Sequence, residues 1–326
     1  MSELRKSTFQ LYPKLQKAAK QTVDLYADAP PPPEDVRSGW AGEDAAVAAY
    51  EELAGDFPSF FIAEQSLPTE GKRVVLWDAA KKVTGGHLPT FYQLVGDCVS
   101  QGATNAVQYL QCVEIARLNE PERYRPIFQP YIYGISRKYI GGGSLRGDGS
   151  LGVWAAQGVR KYGVLAADEE GVPDYSADVA RSWGSKGPPQ NFIDIGKNHL
   201  IQTIAKVTSY ESVRDAIANG YPVTVASNRG FKMTGTVSDG KLWGTASGNW
   251  AHQMCFIGVD DNPKRPGCYI LNSWGVNAHG KPADDAPPGG FWVDADVVAS
   301  MVKQNDSFAF SQFDGFPEQD LDFILI

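Results

Sequence analysis

Residues 93–110 read Gln93-Leu94-Val95-Gly96-Asp97-Cys98-Val99-Ser100-Gln101-Gly102-Ala103-Thr104-Asn105-Ala106-Val107-Gln108-Tyr109-Leu110. From Val99 the apolar positions Ala103, Ala106, Val107, Leu110 and Val113 recur at helical spacing, and Gly96-Asp97 supplies an entry turn. The pattern predicts a helix with Cys98 at or near its start. That position matters for a thiol, because the unpaired N–H groups and dipole of a helix N-terminus favour a negative charge beside them. The plain alternative is a small buried residue opening a core helix. What decides between them is the rest of the chain.

A thiolate is not a catalyst alone. The leaving group must be protonated by a nearby acid, normally histidine, which a third group holds in orientation. Four histidines are available, His87, His199, His252 and His279. His252 stands at the head of an alternating apolar strand, Ala251-His252-Gln253-Met254-Cys255-Phe256-Ile257-Gly258-Val259. The other three lie in polar or glycine-flanked segments and read as surface residues. The next strand, Cys268-Tyr269-Ile270-Leu271-Asn272-Ser273-Trp274-Gly275, ends in an amide able to accept an imidazole N–H. Trp274, two residues on, would cover that bond from water.

Cys98 on a helix start, His252 in its strand and Asn272 in Asn-Ser-Trp-Gly, in that chain order, resemble the papain-like cysteine peptidases. The likeness runs over about residues 74–300, taking in Val74-Val75-Leu76-Trp77, Pro89 to Gln93, and Gly290-Phe291-Trp292-Val293. It implies an α+β, two-lobed fold, with a helical left lobe over about 90–190 and a β-barrel-like right lobe over about 191–303. It also implies that the Cys98 thiolate attacks a peptide carbonyl and that Asn272 orients His252, which protonates the leaving amine. Gln93 and the Cys98 backbone N–H would stabilise the oxyanion. By the same resemblance Gly149, Ser150, Ala226 and Trp274 would contact substrate. The substrate would be a polypeptide, with no metal and no cofactor. Two departures stand out: the approach from Gln93 to Cys98 is one residue short, which brings Tyr92 into consideration, and Asp97 places an acid beside the nucleophile.

The chain divides into an N-terminal extension, 1–71, a peptidase domain, 72–303, and an acidic aromatic tail, 304–326. The extension has a helical pattern in 1–26, a Pro30–Pro33 linker and a second helical run near Glu43–Leu53. Nothing in its first 70 residues reads as chemistry. The last 22 residues, Asn305–Ile326, hold five acids and no Lys or Arg among five Phe, and read as a segment that docks. These extensions keep open a second reading, a structural component of an assembly such as a virus particle, or a homo-oligomer, with little activity.

Composition narrows the rest. Lys and Arg number 30 against 38 Asp and Glu, a net charge of −8, so nucleic acid is not the expected partner. No run reaches the ~20 apolar residues of a membrane span, and the polar start is unlike a signal peptide, so synthesis in the cytoplasm is expected. Four unevenly spaced cysteines make no disulfide framework. Gly147-Asp148-Gly149-Ser150-Leu151-Gly152 matches a dinucleotide fingerprint only in letters, since no buried strand precedes it.

Overall fold

The computed structural model describes residues 28–53, 57–60, 70–118 and 121–317. The helical pattern of 1–26 and the closing Phe323-Ile324-Leu325-Ile326 lie outside the described residues.

The first half is helical. Trp77–Thr84 follows the short strand β1 (Arg73–Val75), and Cys98–Val113 follows the turn at Gly96-Asp97. Every residue of Cys98–Val113 is buried, so this helix is enclosed on all sides. Glu34–Arg37 and Glu43–Glu52 come before them, and Gln129–Gly134, Gly152–Lys161, Ala177–Lys186 and Gln190–Gly196 follow, after β2 (Glu122–Arg123).

The second half builds a sheet from β3 (Ile201–Lys206), β4 (Val223–Phe231), β5 (Thr236–Ser238), β6 (Lys241–Trp243), β7 (Ala246–Asp260), β8 (Gly267–Leu271), β9 (Gly290–Asp294) and β10 (Asp306–Phe313). Their order is β3-β10-β4-β7-β8-β9-β6-β5, with β1 also paired to β7. All pairs are antiparallel except β6 with β9. The sheet is not closed, so the strand-rich half is an open, curved layer and not a complete barrel. Its centre is β7, which is exposed at Ala246–Asn249 and buried from His252 to Val259. Trp77 from the helical half meets Tyr269 and Trp292 edge-on, at 5.1 and 6.3 Å between ring centroids.

The aromatic tail is not separate from this body. Its residues Asp306–Phe313 lie between β3 and β4, with Phe308 opposite Lys206 and Thr224. Phe308, Phe310 and Phe313 are buried, which explains why so acidic a stretch carries so many rings. The chain then crosses to the helical half, where β11 (Phe316–Pro317) pairs with β2.

Because Phe308 is fully buried in a strand paired on both sides, and its ring meets Phe57 at 5.3 Å, Phe308→Ala should cost about 3–5 kcal/mol of stability. Val237→Ala, at a 59% exposed position, should change stability by less than about 0.5 kcal/mol. Denaturant titration of both variants measures this, and equal midpoints would contradict it.

Candidate active site

Asp97 is the residue before the helix Cys98–Val113, and its carbonyl accepts the Ser100 N–H at 2.9 Å. Cys98 is therefore the first helical residue, as its sequence context predicts. Its Sγ accepts the backbone N–H of Gln253 at 3.4 Å. Gln253 follows His252 on β7, so the thiol and the imidazole belong to facing elements. The Gln253 side chain completes the seam by donating to the Val99 carbonyl at 2.9 Å.

His252 Nε2 lies 2.7 Å from Asn272 Oδ1, just past the end of β8. The ring of Trp274 packs 4.7 Å from that of His252 and is 1% exposed, which keeps this bond dry. The other ring nitrogen, Nδ1, has no partner of good hydrogen-bond geometry among the described residues, and the Arg37 main chain is the polar group that acts on the ring beside Asn272. Gln93 enters from the opposite wall. Its Oε1 accepts from Ser273 Oγ at 2.7 Å and its Nε2 donates to the carbonyls of Val36 and Val95. Tyr92 instead reaches away, donating from its hydroxyl to the Pro30 carbonyl.

The cleft holds a stretch of this chain's own backbone. The N–H groups of Gly39 and Trp40 donate to the Ala251 carbonyl at 3.0 and 3.1 Å. Ser150 N–H donates to the Gly39 carbonyl at 2.8 Å, and Ala41 N–H to the Ser150 carbonyl at 3.0 Å, so Trp40 bridges Ser150 in parallel. Gly39 lies over the thiol: a Cβ built there would be 2.2 Å from the Gly96 carbonyl oxygen and 3.0 Å from Cys98 Sγ. Arg37 stacks over the Trp274 ring at 5.6 Å. Trp40 is anchored by its indole N–H, 2.7 Å from Asp306 Oδ2. That carboxylate also accepts the N–H groups of Gly152 and Val153, capping the helix Gly152–Lys161. Residues 34–41, expected to carry no chemistry, thus cover the site.

Sequence reasoning missed two further members, Asp306 and His279, and left the surroundings of a third, Asp97, open. Asp306 was assigned to the tail, yet pairs with Ala226 at the cleft wall. His279, expected at the surface, is 1% exposed, with Nε2 2.8 Å from Asn272 Nδ2. Asp97 neither reaches solvent nor meets a base. It is buried and accepts from Tyr175 Oη and Gln101 Nε2, both at 2.9 Å. The acid itself was visible in the sequence, but its two neutral partners were not.

Burial sets the charge state of the covered site. It pushes the Cys98 thiol up to about 12; the Gln253 N–H opposes this and the Asp97 carboxyl adds to it. Burial also pulls His252 down to about 4, against the Asn272 bond and the Arg37 backbone, which favour the charged ring. Both groups are therefore neutral while the segment is in place. All four cysteines are free and buried. Among the described residues no group of three or more His, Cys, Asp or Glu is placed to hold a metal ion, and no helix is long and apolar enough to cross a membrane.

No family model matches the sequence, and no curated protein matches it. Among solved structures, xylellain, a cysteine protease from Xylella fastidiosa, is similar over 86% of this chain and 97% of its own, at 18% identity and a TM-score of 0.58. The proCathepsin B S9 of Trypanosoma congolense is similar over 88% of each chain, at 11% identity and a TM-score of 0.54. At such identities the likeness is one of fold, and the fold is papain-like and α+β.

Burial raises the Asp97 carboxyl to about 7 from an ordinary 3.8, with Tyr175 and Gln101 opposing. The fold therefore favours the protonated acid. Stability owed to it is full below the unfolded value and falls as pH rises through the folded one. Asp97→Asn removes that dependence, so its stability relative to the parent should rise between pH 5 and pH 8. Urea midpoints of the two proteins at both pH values measure this. A gap that does not change with pH would show that Asp97 does not titrate in this window.

Proposed function

We propose that the protein is a cysteine peptidase held latent by residues 34–41. Cys98 is the nucleophile, His252 the acid and base, Asn272 its orienting group, and Gln93 with the Cys98 backbone N–H the oxyanion donors. The observation that carries this reading is the chain's own backbone in the cleft. Ser150 and Ala251 hold the non-helical stretch Gly39–Ala41 by main-chain hydrogen bonds over a thiol at a helix start, and the Gln93 side chain donates to the Val36 carbonyl in the short helix Glu34–Arg37 just before it. A surface that binds backbone without regard to side chains suits a polypeptide substrate, and it supports binding roles for Gly149 and Ser150. Ala226 stands at the wall where Trp40 is anchored.

In the reaction the Cys98 thiolate adds to the carbonyl carbon of the scissile bond, and the oxygen takes the charge within reach of Gln93 Nε2. Imidazolium His252 protonates the departing nitrogen as the C–N bond breaks, leaving a thioester. The neutral imidazole then takes a proton from water, whose oxygen displaces sulfur and releases the acid.

The segment avoids this fate by its register. The carbonyl on Gln93 Nε2 is that of Val36, whereas the residue over Sγ is Gly39, whose carbonyl is engaged by Ser150. No one peptide bond offers its carbon to the thiol and its oxygen to Gln93. Opening the cleft exchanges a dry cover for water, which lowers the thiol's pKa, raises the imidazole's and permits the ion pair.

Gly39→Leu should expel the segment, because no side chain fits between Gly96 and Cys98. Iodoacetamide at pH 7 should then label Cys98 at least about tenfold faster than in the parent, a change worth roughly 1.4 kcal/mol of closure. Cys112, Cys255 and Cys268 should stay slow, and the opened chain should cut an unfolded protein, with Cys98→Ala abolishing cleavage. If the opened chain cuts nothing and Cys98 reacts no faster than the other thiols, the protein is a structural component with a peptidase's shape.

A further inference from the structure

His279 lies beyond the four residues of the proposed mechanism, yet its ring is built into their hydrogen-bond chain. It is 1% exposed and walled by Trp250, Trp274 and Phe291, with ring centroids at 6.0, 5.8 and 4.7 Å. Its Nδ1 lies 3.1 Å from the Met233 carbonyl oxygen, and its Nε2 2.8 Å from Asn272 Nδ2. A carbonyl only accepts, so Nδ1 carries the proton; burial keeps the ring neutral, which leaves a lone pair on Nε2. That lone pair accepts from the NH2 end of the Asn272 amide.

The consequence travels along the amide. With its nitrogen turned to His279, Asn272 turns its oxygen to His252 Nε2 at 2.7 Å and to the Ser273 N–H at 2.7 Å. An oxygen at that distance requires the proton on His252 Nε2. In the neutral ring the Nδ1 of His252 is then the unprotonated nitrogen, although the Arg37 main chain pulls the ring toward its charged form. A reversed amide would set its NH2 group against the Ser273 N–H and its oxygen against the His279 lone pair. Both contacts are repulsive in a site as buried as this one.

We propose that His279 is a positioning residue: it locks the Asn272 amide in the one orientation that puts the His252 proton on Nε2 and leaves Nδ1 to receive the proton of Cys98. This rests on the peptidase reading for its purpose, but its geometry is testable without any activity. The chain runs from the Met233 carbonyl through His279 and Asn272 to His252, and each link has one donor and one acceptor.

Long-range proton–nitrogen correlation of the 15N-labelled full-length protein reports the tautomer of each neutral histidine, assigned by His87→Gln and His199→Gln variants. The expected result is an Nδ1–H tautomer for His279 and an Nε2–H tautomer for His252. In His279→Phe, which fills the aromatic box but accepts nothing, the His252 signals should shift toward a mixture of tautomers. In His279→Gln, whose carbonyl can accept from Asn272, they should stay Nε2–H. In the Gly39→Leu background, Cys98 alkylation should fall about tenfold with His279→Phe and recover with His279→Gln. An Nε2–H tautomer for His279 in the parent overturns the proposal, as does a His252 tautomer unaltered by His279→Phe. Should His279→Phe fail to fold, the parent tautomers and His279→Gln still decide. If the expected tautomers are found but the opened Cys98 reacts like an ordinary thiol, the positioning stands and the peptidase reading fails.

Discussion

The structure depends on one contact, the start of the helix Cys98–Val113 against β7 at Gln253. Gln253 is 1% exposed; its main chain holds the thiol sulfur and its side chain holds the Val99 carbonyl one residue along. The second bond is an additional one to a carbonyl of the helix's first turn, and it ties the Gln253 side chain to the helix start. Gly102, one turn into the helix, permits the approach, since a Cβ there would lie 3.1 Å from Gln253 Cγ and 3.2 Å from the Met254 carbonyl oxygen. A helix and a strand distant in sequence are thereby fixed at one separation. His252, next to Gln253, inherits that placement, so the thiol and the imidazole are set by backbone geometry before any interaction between them.

The cover over this seam acts electrostatically as well as sterically. A thiol near 12 and an imidazole near 4 are both driven from charge by the same loss of water. An ion pair between them would need Coulomb attraction to exceed two desolvation costs in a site already filled by peptide. The latency proposed here is thus chemical as well as physical: the covered pair lacks the charge that nucleophilic attack requires. Asp97 deepens it, because a buried acid beside the thiol opposes the thiolate whenever it ionises.

The sequence disclosed what periodicity and short motifs encode. Cys98 as first helical residue, the strand carrying His252, and Asn272 after an apolar run are local patterns, and each lies where its pattern places it. Less legible were the contacts made by backbone alone. Residues 34–41 offer no apolar period and no motif, and their hold on the cleft runs through the N–H and carbonyl groups of Gly39, Trp40 and Ala41, which every sequence has. His279 was misread for a related reason. Its neighbours Ala278 and Gly280 suggest a surface loop, and only the fold brings Trp250, Trp274 and Phe291 around it. That the aromatic tail docks was legible from its five Phe, but its place was not: it enters the sheet as β10, whose one acid, Asp306, is buried with three donors.

Those three donors join parts of the chain that no local reading connects. Trp40 belongs to the cover, Gly152 and Val153 open a helix of the left half, and Asp306 begins the strand β10 between β3 and β4. Burial raises the Asp306 carboxyl to about 6 against the pull of these donors, so near neutral pH it is held as an anion whose solvation is wholly supplied by protein. Taking Trp40 away removes one of those three donors but leaves the two backbone N–H groups of the helix. On the latent-peptidase reading, releasing Trp40 would therefore leave the helix cap in place, because the Gly152 and Val153 N–H groups still hold the carboxylate.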